Sequence, residues 1–329
     1  MMAGYGRSAA CCAGLRVVRG PGRVDRGAPV PLIVSPGRQH LTGDQPFDCL
    51  QAVNTIAVVT GATRNLGLAL ARGLAERLAD GDVVYLTGRD PDRVAKAVKT
   101  IPATVAQVRG ATLDVSGKET VARFAGTLAE RHGGIDIVFS NHYARVDPGD
   151  DPAEVVDHYV AVNNLGTTHV LRAFTPLLRD RGRLLVVASR AGSLRALAPA
   201  LHRRFDGLQT LDDVDHAVCA WRDAVRERRA AGQAWPAWIN IPSKIGQVAA
   251  VRALAAQRRA DDLRRGIMIA AVCPGLIDTG ASRPWLDMSG AQTPAQAAES
   301  LLDLALEANP DPAFYGELVL SGEIVPWKP

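Results

Sequence analysis

Long apolar runs are missing from this chain of 329 residues, 47% of them apolar. Charges break every apolar patch before it reaches the roughly 18 residues that span a bilayer, so no membrane span is expected and the cytoplasm is the expected compartment. Cysteine is sparse and unpatterned. Cys11, Cys12, Cys49, Cys219 and Cys273 show neither C-x-x-C spacing nor histidines at ligand spacing, which predicts free thiols in a reducing environment and no metal site. A large charge excess is also lacking. Of the net charge of +4, residues 1–50 supply +3 through six Arg against three Asp, and the near-neutral remainder offers no basic face to nucleic acid.

Residues 1–52 lack apolar periodicity. Eight Gly, five Pro and six Arg bury too little surface to offset the entropy of ordering, so a flexible extension is expected there. An Arg-rich, acid-poor targeting segment is the alternative, although the continuous apolar core of a secretory signal is absent.

From residue 55 the pattern changes. "TIAVVTGATRNLGLALARGLAERL" reads as a β-branched strand (Ile56 to Val59), a Gly-containing turn, and a helix with Leu66, Leu70, Leu74 and Leu78 in one stripe. Such a unit aims free N–H groups and the positive helix end at the turn, where small residues let a pyrophosphate approach the backbone. Further strands are predicted at Val83–Leu86, Ala111–Asp114, Ile135–Ser140, Arg183–Ala188, Ile267–Val272 and Leu318–Ser321, with helices between them. The expected class is α/β: a doubly wound parallel sheet, or Rossmann fold, in one domain over residues 53–329. Right-handed crossovers then gather the strands' carboxyl ends, and a site, on one rim.

The second strand ends "YLTGRD". Thr87 and Gly88 stand where a fold selecting the unphosphorylated dinucleotide carries an acid for the ribose hydroxyl. Arg89 follows, and Arg64 lies in the first turn. Two guanidinium groups suit a 2′-phosphate, each charge-assisted contact contributing roughly 1.5–3 kcal/mol, which favours NADPH over NADH, with two solvated surface arginines as the alternative.

Together these motifs resemble the short-chain dehydrogenase/reductase family from about residue 54 to the C-terminus. "TGATRNLG" (Thr60 to Gly67) resembles its Thr-Gly-x-x-x-Gly-x-Gly turn, with Asn65 in place of the middle glycine; asparagine tolerates left-handed backbone angles better than other side chains. The resemblance implies cofactor contacts from Gly61, Thr63, Arg64, Asn65, Leu66 and Gly67, from Arg89, Asp114, Val115 and Asn141, from Lys244, and from Pro274, Gly275 and Thr279 of "CPGLIDTG". It implies Asn163 in "VNNLG" and Ser189 in "VASRAG" as active-site residues. Between Ser189 and Lys244, residues 193–239 form a helical insertion with a helix expected from Leu211 to about Arg228. This resembles the monomeric carbonyl reductase branch, which implies a monomer, with a loop insertion of no consequence for assembly as the alternative.

The proton donor is the part that is missing. Family chemistry adds a hydride from the nicotinamide and a proton from a tyrosine one helical turn before the lysine, where the lysine's charge lowers the phenol's pKa. In "WINIPSKIG" Lys244 is present, but Asn240 occupies the tyrosine's place; an amide can hydrogen-bond and surrenders no proton at neutral pH. The family's Asn-Asn-Ala-Gly reads Ser140-Asn141-His142-Tyr143, so His142 and Tyr143 are candidate substitute acids, with outward-facing space fillers as the alternative. Pro242 suits only a first helical turn, so Asn240 is also a candidate helix cap.

Two functions follow. One is an NADPH-dependent reductase acting on a small hydrophobic carbonyl, enone or imine; Trp221, Trp235, Trp238 and Trp285 in and near the insertion suit such a substrate, with packing of the insertion onto the body as the alternative for each. The other is a non-redox protein of the same fold, a cyclase, dehydratase or cofactor-binding regulator.

Overall fold

The computed structural model describes residues 54–329; the expected extension, with Cys11, Cys12 and Cys49, lies outside the described residues. Along the chain run β1 (Ile56–Val59), α1 (Asn65–Arg77), β2 (Val83–Gly88), α2 (Pro91–Thr100), β3 (Gln107–Thr112), α3 (Lys118–His132) and β4 (Ile135–Ser140). The second half holds α4 (Pro152–Val160), α5 (Gly166–Phe174), β5 (Leu178–Val187), α6 (Pro199–His202), α7 (Leu211–Arg226), α8 (Asn240–Arg264), β6 (Met268–Cys273), α9 (Pro294–Leu306), β7 (Leu318–Leu320) and β8 (Glu323–Val325).

The sheet order is β3-β2-β1-β4-β5-β6-β7-β8, parallel up to β7. Strands β1 and β6 are buried along their whole length because helices cover both faces, which is why they read as continuous apolar runs without alternation. The chain reverses direction of growth between β1 and β4, where Val59 pairs with Leu86 on one side and Phe139 on the other. A crevice opens at that switch point, beyond the strands' carboxyl ends.

Local chemistry sets the helix starts. Asp90 caps α2 with Pro91 at its first position, Thr210 and Asp213 form a reciprocal capping box on α7, and Thr293 does the same for α9 with Gln296. In α1 the leucine stripe buries Leu66, Leu70 and Leu74, while Leu78 stands just past the helix end.

Three sequence expectations need correction. The third strand lies at Gln107–Thr112, ahead of Ala111–Asp114, because it is an edge strand whose half-exposed residues carry little apolar signal. Strand β5 begins five residues earlier than Arg183, at Leu178. An eighth strand, β8, pairs antiparallel with β7 through a tight turn at Ser321 and Gly322, both with positive φ (50° and 79°); Ser-Gly between short apolar runs was its signal.

Between β5 and α8 lies α7, which buries Val214, Val218, Trp221 and Val225 and packs against α4 and α8. The approach to α8 is close: a Cβ on Gly246 would stand 2.6 Å from Val218 Cγ1. Trp221 and Trp235 belong to this packing, with ring centroids 6.3 Å apart and Phe205 6.1 Å from Trp235, so neither of these two tryptophans faces the crevice.

Candidate active site

The crevice, about 660 Å³ in volume, is lined by every catalytic and cofactor-binding candidate named above except Asn163. At one end lies the turn after β1. Gly61 has φ +61° and Asn65 φ +48°, so asparagine does adopt the left-handed conformation where a glycine was expected. Gly67 has no room for a side chain: a Cβ would meet Asn141 Nδ2 at 2.4 Å and Gly61 O at 2.5 Å. Asn141 ties the turn to β4 by donating to the carbonyls of Thr60 and Gly61 at 3.1 and 3.2 Å.

Helix α1 has neither a capping side chain nor an acid in its first turn. Its start therefore presents N–H groups and positive potential to the crevice, the physical requirement for an anion. Arg64, Arg89 and Arg93 line the same end. Asp90 spends its carboxylate on the N–H groups of Asp92 and Arg93 as the α2 cap and on the Arg93 guanidinium, 3.2 Å away. A pyrophosphate and an additional phosphate both fit this donor set. Asp114 lies beside it; burial works to raise its carboxyl, but hydrogen bonds from the Ser116 hydroxyl and N–H, with Arg89 and His158 nearby, hold it below the usual range. His158, which sequence reasoning missed, meets Arg89 Nη1 at 3.2 Å.

At the other end α8 supplies Asn240 and Lys244, one turn apart on the face toward the crevice. Lys244 Nζ donates to Gln247 Oε1 at 2.8 Å and to Val187 O at 3.1 Å. Burial pushes its ammonium down to about 8. Gln247 passes the contact on, donating to Asn163 O at 2.9 Å and Thr167 Oγ1 at 3.1 Å. Its position three residues after Lys244 was a legible signal that went unread.

Asn163 sits in a single π turn (Ala161–Leu165) between α4 and α5. Such turns cost regular hydrogen bonding and recur at functional sites. The side chain reaches the loop after β4, accepting from Ala144 N–H at 2.8 Å, and so it fixes that loop from below. Ser189 follows β5 in extended conformation and accepts from Ala191 N–H at 3.2 Å. Pro274, Gly275 (φ +78°) and Thr279 form the far wall.

Two expectations about this end are corrected. Asn240 is not the cap of α8: it is the first helical residue, and its Oδ1 accepts a 2.9 Å bond from the hydroxyl of Tyr159. Pro242 falls in the first turn, where its missing N–H costs nothing. His142 is not placed as a proton source. Its ring is buried, with Nδ1 2.9 Å from Thr60 Oγ1 and Nε2 3.5 Å from Thr167 Oγ1. Burial, with Lys244 and His169 adding like charge, drives it down to about 3, so the ring is neutral at pH 7 and braces the loop.

The profile of the family described as short chain dehydrogenase matches residues 55–199. Carbonyl reductase [NADPH] 3 of Rattus norvegicus is 30% identical over 292 residues, covering 84% of this chain and 100% of its own. The chain belongs to the short-chain dehydrogenase family. Carbonyl reductase [NADPH] 1 of Mus musculus is 28% identical over 280 residues, covering 83% of this chain and 98% of its own. Among solved structures, salutaridine reductase from Papaver somniferum superimposes with a TM-score of 0.69 at 22% identity, over 80% of this chain and 99% of that one.

In this short-chain dehydrogenase the mouth of the crevice is aromatic. Trp238 and Trp285 stack with centroids 5.4 Å apart and planes at 22°, and Trp285 Nε1 donates to Val146 O at 3.1 Å. Tyr143 lies below them with 38% of its surface exposed, its ring 5.5 Å from Lys244 Nζ and edge-on to Tyr159. Among the described residues no helix is long and apolar enough to cross a membrane.

Proposed function

We propose that this chain is an NADPH-dependent reductase acting on a small hydrophobic carbonyl, enone or imine, with a proton source other than a tyrosine on the lysine helix. One observation carries the reading: a single crevice joins an uncapped helix start and an arginine cluster at one end to Ser189, Asn240 and Lys244 under an aromatic mouth at the other. The carbonyl reductases [NADPH] among its relatives support the cofactor.

The turn from Gly61 to Gly67 holds the pyrophosphate on backbone N–H groups, Arg64 and Arg89 take the 2′-phosphate, and Asp114 with Val115 borders the adenine. Pro274, Gly275 and Thr279 close over the nicotinamide, while Lys244 holds its ribose. When bound, NADPH supplies the hydride. Ser189 Oγ–H and the Asn240 amide donate to the acceptor's oxygen or nitrogen, stabilising charge as it develops there. Trp238 and Trp285 exclude water and favour an apolar ligand. With α7 covering α4 and α8, a cytoplasmic monomer is the assembly proposed.

The test is NADPH fluorescence on titration with protein, followed by NADPH oxidation against aromatic ketones, cyclic enones and cyclic imines, with sizing by light scattering. Micromolar binding and oxidation on at least one class are expected. Binding without oxidation on any class would sink the reductase reading and favour the non-redox alternative; no binding would sink the cofactor as well.

A further inference from the structure

The hydroxyl groups of Tyr143 and Tyr159 and the amide of Asn240 form one chain at the reacting end of the crevice. Tyr159, buried on α4, donates to Asn240 Oδ1 at 2.9 Å, and its oxygen lies 3.5 Å from that of Tyr143. Tyr143 comes from the loop after β4, which Asn163 holds through Ala144. The position one turn before Lys244 holds an amide, and the phenol of Tyr143, from another element, stands two hydrogen-bond steps away.

We propose that Tyr143 is the general acid of the reduction described above and that Tyr159 and Asn240 are its positioning residues; this rests on the reductase reading. Asn240 is short enough to leave the space that Tyr143 and Tyr159 occupy. The bond from Tyr159 uses the Asn240 carbonyl oxygen, so the amide N–H pair stays available to the substrate. Hydride from NADPH adds to the carbonyl carbon, the C–O π pair moves to oxygen, and that oxygen takes the proton of Tyr143 Oη, leaving the alcohol, NADP⁺ and a tyrosinate. As charge grows on Tyr143, the Tyr159 proton turns from Asn240 toward it. Solvent at the open face of Tyr143 returns the lost proton.

The surroundings suit an acid working in the direction of reduction. The groups facing Tyr143 are Lys244 from α8, Tyr159 from α4, and Arg145 and Asp147 from its own loop. Burial raises the phenol above its ordinary range, against a lowering effect from the Tyr159 hydroxyl and Arg145. It is therefore fully protonated at pH 7 and still far more acidic than an alkoxide's conjugate acid. Tyr159 is held higher still by burial and by Tyr143, and remains a donor.

The experiment compares the full chain with Tyr143→Phe and Tyr159→Phe. With whichever ketone probe the parent reduces, Tyr143→Phe should lose about 10²-fold or more in the rate of NADPH oxidation while NADPH affinity stays within twofold. A second readout is independent of turnover: absorbance at the tyrosinate band during alkaline titration, with and without NADP⁺. One phenol should titrate lower when the cationic nicotinamide is bound, that change should vanish in Tyr143→Phe, and its midpoint should rise in Tyr159→Phe. Tyr143→Phe retaining the parent rate, or NADP⁺ moving no phenol, overturns the proposal while leaving the reductase reading intact. A parent that oxidises no NADPH overturns both.

Discussion

Lowering the pH from 7 to 5 should weaken this fold through one ring, that of His142. The folded state holds it neutral down to about 3, from an ordinary value of 6.5, because the ring is buried between Thr60 and Thr167 and faces Lys244. The unfolded chain picks up the proton as pH falls through 6.5 and the folded chain does not, so unfolding is favoured increasingly from there down to about 3. The contribution is therefore complete above pH 6.5 and shrinks with acid. Between pH 7 and pH 5 the loss is about 2 kcal/mol, roughly 30-fold in the folding equilibrium. The assay is urea unfolding at both pH values for the parent and for His142→Asn, which keeps a polar group and removes the titration. Whatever the variant loses in packing is common to both pH values and cancels in the difference. The parent should lose about 2 kcal/mol more than the variant on acidification; equal losses would refute the buried, neutral ring.

Other outcomes follow from the same geometry. Gly67→Ala forces a methyl group within 2.5 Å of Asn141 Nδ2 and Gly61 O; it should cost about 1–3 kcal/mol of stability and weaken NADPH binding at least tenfold by fluorescence titration. Lys244, lowered by burial to about 8 from 10.5, is protonated in both states below pH 8 and only in the unfolded state above it. Stability should thus rise by about 3 kcal/mol from pH 8 to 10.5, a rise absent from Lys244→Met in urea titrations. Arg64→Ala and Arg89→Ala should each weaken NADPH by about 10- to 100-fold and leave NADH affinity unchanged in parallel titrations. Asn240→Tyr places a phenol where the amide now meets Tyr159; NADPH oxidation with ketones should fall, and a tenfold gain would mean that the site had lacked an acid.

The sequence alone determined the strand-turn-helix unit after residue 55, the parallel α/β class, Arg64 and Arg89 in the turns after β1 and β2, and the asparagine one helical turn before Lys244. These are local or periodic features: four β-branched and apolar residues in a row, a leucine every fourth position, and a lysine whose partner must lie one turn away. The positive φ of Asn65 was legible for the same reason, since few residue types accept that conformation. Strand β3 was misplaced because an edge strand leaves little apolar pattern, and Trp221 and Trp285 could not be told apart because both sit near apolar segments.

Only the tertiary structure decided what stands around Asn240. Tyr159 is 81 residues away in sequence from the amide it binds and 16 from Tyr143, and nothing in the spacing announces either contact. It likewise separated His142 from Tyr143, adjacent residues that sequence treats alike: one ring turns into the packed floor between two threonines, and the next faces the crevice over Lys244. A side chain's charge state and reach depend on burial and on partners brought together by the crossovers, quantities that no local pattern encodes.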